Sequence, residues 1–132
     1  MSLTDFRKFY YLEKYLFAEV SPDFNRRGTL STFDFFCIVV WKANRAKSKI
    51  AQRMLGHGYS NLDNAVAALI GQVREAANEK ERFHVLIQGW GFRLPMASAI
   101  LTVLYPDAFT VYDIRVCQSL NEFSRLQNRI DI

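Results

Sequence analysis

The sequence predicts an all-α protein, a single bundle of about six helices. Apolar residues recur at the three- to four-residue spacing of a helix in nearly every segment. Alternating strand patterns are almost absent, and residues 109–112 form the one short extended candidate. With 132 residues, 50% of them hydrophobic and 14% aromatic, the chain is long enough to bury one core. Residues 1–132 are therefore expected to form one domain.

The first two helices are predicted from apolar faces and local end signals. Residues 2–20 have aromatic and aliphatic side chains on one face, and the turn residues Ser21, Pro22 and 25–28 predict that this helix ends at about residue 20. The second helix starts at the capping residue Ser31. Because no breaker interrupts the stretch that follows, it is predicted to continue to residue 55.

The later helices have start signals of their own. Ser60 predicts a third helix that extends to about residue 77. Asn78 is expected to cap a short fourth helix up to residue 88, and Pro95 suits the first turn of a fifth, which ends at Pro106. The apolar stripe after residue 113 predicts a sixth helix. The residues of the fifth helix that are expected to face the core are Ala97, Ile100, Leu101 and Leu104.

The composition argues against several classes of protein. The longest apolar run, residues 35–41, is far too short to cross a bilayer, and the N-terminus lacks the features of a secretory signal. Cys37, expected to be a buried hydrophobe, and Cys117 provide neither a disulfide framework nor a metal cluster. His57, expected in a loop, and His84, expected to pack inside, have no second ligand at metal spacing. We expect an intracellular, cytoplasmic protein without metal or cofactor, a nucleoid or nuclear location being left open.

The positive charge is concentrated in one stretch of the chain. The formal net charge is +4, and residues 42–53 contain no acid. The basic residues of that stretch are Lys42, Arg45, Lys47, Lys49 and Arg53. Clustered cations bind DNA phosphates with release of counterions, so the strip predicts backbone contacts. An ordinary solvated helix face is the alternative, and the sequence leaves both open.

A glycine-containing turn joins the fourth and fifth predicted helices. Gly89 and Gly91 allow left-handed backbone angles, and the amides that open the next helix form a site suited to a phosphate. Trp90, at the tip of this turn, is expected to be exposed and to touch a partner. The expected DNA-backbone contacts are Gly89, Trp90, Gly91, Arg93, Arg115, Lys42 and Arg45.

The segment from residue 85 to 116, about a quarter of the chain, resembles the helix-hairpin-helix DNA glycosylases of base-excision repair. Gly89 and Gly91 match the two hairpin glycines of that superfamily, and Ala97 matches the alanine after the hairpin. Asp113 follows Ala97 by sixteen residues, the family spacing of the essential aspartate. The resemblance implies a helix-hairpin-helix segment over residues 83–105 and an aspartate segment over residues 109–127.

This resemblance implies a chemistry for the aspartate segment. Asp113 would assist cleavage of the bond between a flipped base and its sugar. Tyr112 departs from the family, which more often has an apolar aliphatic residue there, but its ring makes it a candidate to stack on the flipped base. Pro95 stands where bifunctional members have a lysine, so the implied enzyme is a monofunctional N-glycosylase without Schiff-base lyase activity. Two extra residues lengthen the hairpin, and Met96 replaces the family's threonine.

Each of these interpretations has an alternative in which the residue has only a structural role. Asp113 is also an ordinary helix cap, Arg115 a surface charge, and Tyr112 a packing residue. The chain is then a non-enzymatic duplex-DNA-binding module that kept the hairpin but lost the base pocket. A third alternative is a helical protein-interaction domain whose aromatic first helix packs against a second copy to form a homo-oligomer.

Overall fold

The computed structural model describes residues 10–109. In that range 82% of the residues are helical and none belongs to a strand, so the all-α fold class is confirmed. The first helix, α1, comprises helical residues 10–15, the π-helical turn Leu16–Val20 and the α-helical turns Ser21–Arg27. The others are α2 (Thr32–Ala43), α3 (Lys47–Leu55), α4 (Leu62–Glu75), α5 (Glu79–His84), α6 (Leu94–Leu104) and α7 (Pro106–Phe109).

The first helix does not end near residue 20 as predicted, and of the predicted turn residues it is Gly28 that marks its end. Helix α1 continues through Arg27 and ends at Gly28, whose φ of 75° is left-handed. A proline inside a helix removes one hydrogen bond, and its ring crowds the carbonyl four residues earlier, here that of Ala18. Ala18 lies in the π-helical turn Leu16–Val20, which is wider than an α-helical turn. This turn accommodates the proline ring, so the helix passes through it.

The predicted continuous helix from residue 31 to 55 is also wrong, although its start is correct. The Ser31 hydroxyl accepts a hydrogen bond from the Asp34 amide at 3.0 Å. The helix breaks at Ala43, where φ is −158° and ψ is 83°, and a 3₁₀ turn, Asn44–Ala46, leads into α3. Helix α2 buries Phe35, Ile38 and Val39 and packs against α6, whereas α3 buries two side chains and packs on α4. One straight helix would not satisfy both packing directions.

Helices α4, α5 and α6 start within two residues of the predicted positions. Asn61, one residue after the predicted Ser60, caps α4 by accepting from the Asn64 amide at 2.8 Å. Asn78 caps α5, as predicted, by accepting from the Glu81 amide at 2.9 Å. Pro95 lies in the first turn of α6, and that helix ends at Leu104, just before the predicted proline stop.

Helix α6 lies at the centre of the core. Its four predicted core residues are fully buried, and it packs on α1, α2 and α5. Phe35 of α2 lies against Phe92, with ring centroids 6.4 Å apart, and Phe17 of α1 lies edge-on to Trp41 at 5.7 Å. Because α6 is surrounded by other helices, only its two ends are close to the surface. Both ends carry basic clefts, described below.

Candidate nucleic-acid interface

The turn between α5 and α6 has one left-handed residue rather than two. Helix α5 runs into a π-helical turn, Val85–Gly89, and the chain then reverses through Trp90 and Gly91. The φ of Gly91 is 77°, whereas Gly89 lies in the helical turn without a positive φ. The Phe92 amide donates to the Leu86 carbonyl at 3.0 Å and closes the turn. The expectation that both glycines supply left-handed angles is therefore corrected to Gly91 alone.

This difference predicts opposite effects for two alanine substitutions. Gly91→Ala should lower the free energy of unfolding by about 1–2 kcal/mol, because a side chain makes the left-handed conformation costly. A Cβ at Gly89 would meet no atom within 4 Å. Gly89→Ala, the matched control, should therefore be neutral or stabilising by about 0.5 kcal/mol, since glycine loses more backbone entropy on folding. Urea denaturation of the two variants checks the prediction, and equal destabilisation would contradict it.

Trp90 is buried instead of exposed at the tip of the turn, so its predicted exposure is wrong. Its side chain is 2% exposed, and its indole Nε1 donates to Oε1 of Gln72 at 2.9 Å. The Tyr59 ring stacks on it at 5.7 Å, and the exposed His57 covers it at 4.6 Å. The backbone of this turn reaches the surface while the side chain points inward. Trp90 thus attaches the turn to α4 and to the loop that follows α3.

The start of α6 lies beside the basic strip, with a cleft of about 430 Å³ between them. We call it the basic cleft. It is lined by four cationic residues and no acidic one. The lining residues are Lys42, Ala43, Ala46, Lys49, Ile50, Arg53, Phe92, Arg93, Pro95 and Met96. Apolar side chains from α3 and α6 contribute to its walls, and exposed cations surround them.

The four cations of the basic cleft come from different parts of the fold. Lys42 lies at the end of α2, Lys49 in the first turn of α3, and Arg93 just before α6. The Arg53 guanidinium donates a hydrogen bond to the Gly91 carbonyl and so fastens α3 to the turn. Of the residues predicted to contact the DNA backbone, Lys42 and Arg93 line this cleft. Arg45 is exposed in the 3₁₀ turn but does not line the cleft.

The first turn of α6 opens onto the same cleft. The first amide that bonds within the helix is that of Ala97, which donates to the Arg93 carbonyl at 3.0 Å. The amides of Leu94 and Met96 precede it, and no side chain caps this end of the helix. Together with the helix dipole, these donors favour an anion where the four cations also converge. The arrangement is suited to holding a phosphate.

Other predicted site residues are placed differently or lie outside the described range. Asp113, Tyr112 and Arg115 all fall after residue 109, as does Cys117. His84 is exposed rather than packed inside. Cys37 is half-buried, and both its burial and the nearby Asp34 carboxylate raise the pKa of its thiol. Within residues 10–109 no cluster of three metal-ligating side chains occurs.

The apolar part of the basic cleft was not predicted. Met96 was noted only as the replacement of the family's threonine, and Phe92 was not noted, because an apolar residue beside a turn does not indicate which surface it lines. Comparison with protein-family models, curated proteins and solved structures found no match for this chain. In the part of the chain that the structure describes, no helix is both long enough and apolar enough to cross a membrane.

Proposed function

We propose that this chain binds the sugar–phosphate backbone of duplex DNA through the basic cleft. The observation that carries the proposal is the position of Arg93, which lines one cleft together with Lys42, Lys49 and Arg53, with no acidic residue among the lining. A guanidinium presents a planar set of donors that matches phosphate oxygens, and ammonium groups add positive charge. The start of α6 has no side-chain cap, and its residues Pro95 and Met96 line the cleft, so its free amides are further donors for the same ligand.

The same features support binding that does not depend on base sequence. Phosphate contacts fix the position and orientation of a protein on a duplex without reading its bases. The basic cleft offers cations and backbone amides to a ligand, and its walls are otherwise apolar, with Ile50, Phe92 and Met96 among them. This combination suits a charged phosphate together with the apolar side of a sugar.

A salt titration of the wild-type protein tests the proposal. Binding to a fluorescent duplex of arbitrary sequence is measured by anisotropy at several salt concentrations. Four fully formed phosphate contacts in the basic cleft would contribute about −3.6 to the slope of the log affinity against log salt, since each contributes about −0.9. No binding at low salt, or an affinity that ignores salt, would contradict the proposal. A salt-insensitive dimer without DNA affinity would favour the protein-interaction alternative, for which Tyr10 and Tyr11 of α1 are exposed.

Cleavage of a glycosidic bond is a narrower proposal, supported by the resemblance in the aspartate segment. A carboxylate at Asp113 would stabilise the positive charge that develops on the sugar as a flipped base leaves. Pro95 at the position of the family's lysine supports hydrolysis without a covalent imine. In the structure Pro95 lies in the first turn of α6 and lines the basic cleft.

The substitution Asp113→Asn tests this chemistry. It keeps the shape and capping ability of the side chain but removes its charge, so base release should stop while folding and DNA binding stay nearly unchanged. A panel of duplexes with alkylated, oxidised and deaminated bases, treated with alkali, reveals abasic sites. Borohydride trapping runs in parallel. Release that survives the substitution, or a trapped adduct, would contradict the mechanism, and no release from any substrate would favour the non-enzymatic alternative.

A further inference from the structure

A second positively charged cleft lies at the other end of α6. It has a volume of about 260 Å³. Arg26 and Arg27 from the end of α1 and Arg74 from α4 line it, with Gly28 and Tyr105 between them. We call it the arginine cleft. It shares no lining residue with the basic cleft, so the two can be altered independently.

The arginine cleft keeps a positive charge after its internal ion pairs are counted. Asp23 accepts from Arg26 at 2.6 Å and from Nε of Arg27 at 3.1 Å, and all three side chains are solvent-accessible. Within residues 10–109, no ion pair involves Arg74. Three guanidinium groups beside one carboxylate leave a net charge of +2, and no acidic residue lines the cleft itself.

The Arg74 guanidinium occupies the space that a side chain at position 28 would fill. A Cβ at this position would lie 2.6 Å from Cζ of Arg74, which is closer than atoms can approach. The φ of Gly28 is 75°, so the residue ends α1 in the left-handed conformation and leaves its face open. The guanidinium therefore packs over the glycine instead of extending freely into solvent.

Tyr105, which forms another wall of the arginine cleft, is held in place by Phe24 and Arg82. The ring of Tyr105 packs edge-on against Phe24 at 5.6 Å, and the Arg82 guanidinium lies over it, 4.1 Å from the ring centroid. The Asn25 amide donates to the Leu104 carbonyl at 3.0 Å and joins the end of α1 to the end of α6. Contacts among α1, α5 and α6 thus fix this wall of the cleft, which lowers the entropy lost when a ligand binds.

We propose that the arginine cleft binds a phosphate group, and that on DNA it contacts a second part of the duplex already held by the basic cleft. This inference rests on the proposed function. Helix α6 separates the two clefts by eleven residues, or roughly 16 Å at 1.5 Å per residue. Phosphates of one strand lie about 3.4 Å apart along the duplex axis, so a duplex that runs along the direction of α6 would present about five phosphates of one strand over the length of this helix.

The variant Arg27→Gln/Arg74→Gln tests the inference. Both side chains are exposed at the surface, so the substitutions should leave the fold intact, which circular dichroism and thermal melting check. The slope of log affinity against log salt should become shallower by about 0.9 for one lost phosphate contact, with a roughly tenfold weaker affinity at 0.1 M salt. Lys47→Gln/Lys80→Gln is the control, because it also removes two positive charges, and both lysines are exposed and line neither cleft.

The possible results separate this inference from the proposed function. A shallower slope in the double variant, with the control unchanged, supports the arginine cleft. A slope equal to that of the wild type overturns this inference and leaves the basic cleft as the DNA site. A loss that Lys47→Gln/Lys80→Gln reproduces also overturns it, since net charge alone would then explain the effect. No binding by the wild-type protein overturns both proposals together.

Discussion

Replacing Lys42, Lys49 and Arg93 together by glutamine is expected to weaken binding to duplex DNA about a hundredfold at 0.1 M salt. A slope of about 0.9 per phosphate contact means that each contact raises the affinity roughly eightfold when the salt concentration falls from 1 M to 0.1 M. Three fully formed contacts would exceed a hundredfold, and exposed lysines form theirs incompletely. Arg53 is left in place because its bond to the Gly91 carbonyl supports the turn. Fluorescence anisotropy across a salt series gives both the affinity and the slope.

A second triple variant removes the same charge from outside the basic cleft. Arg45, Lys47 and Lys80 are exposed, and none of them lines the cleft. Their replacement by glutamine should change the affinity by less than about tenfold, because long-range attraction between separated charges is screened by salt. If the two triple variants lose affinity equally, net charge rather than the cleft binds DNA, and the proposed interface is wrong.

The substitution Trp90→Ala should lower the free energy of unfolding by about 3–5 kcal/mol. The indole is 2% exposed, so its removal leaves a large cavity between the turn and α4. It also removes the hydrogen bond to Gln72 and the stacking surface of Tyr59. Urea denaturation, followed by circular dichroism, measures the loss. Part of the population should unfold at a temperature that the wild-type protein withstands.

Two further variants make this prediction specific. Trp90→Phe keeps an aromatic ring and should recover part of the lost stability, although the bond to Gln72 is still missing. Phe33→Ala removes a large side chain that is 72% exposed, so it should change the free energy of unfolding by less than about 0.5 kcal/mol. A loss below about 1 kcal/mol in Trp90→Ala would show that the indole is not part of the core.

Local signals in the sequence correctly predicted most helix starts. Ser31 and Asn78 each offer a side-chain oxygen to an amide three residues later, a bond that depends only on neighbours in the chain. The two failures, at Pro22 and Ala43, concern the continuation of a helix. The first helix continues past Pro22 because of a π-helical turn, and the second breaks at Ala43 because α2 and α3 pack in different directions. A pattern of a few neighbouring residues indicates neither feature.

The candidate site was predicted in part. The strip that contains Lys42 is visible as a run of basic residues without an acid, and Arg93 is visible beside a turn. That both residues line one cleft depends on long-range packing, which no spacing along the chain encodes. For Trp90 the prediction failed, because the residues that flank a large aromatic residue at a turn do not determine whether its side chain faces the solvent or the core.

The sequence by itself determined the helical class, through apolar periodicity and capping residues, because both act over a single turn of chain. The position of the charges along the chain was determined in the same way. Only the tertiary structure decided which of those charges share a cleft, which glycine takes the left-handed conformation, and that Gly28 leaves room for Arg74. These outcomes depend on how α6 packs between the other helices, and packing is decided by the burial of the whole core at once.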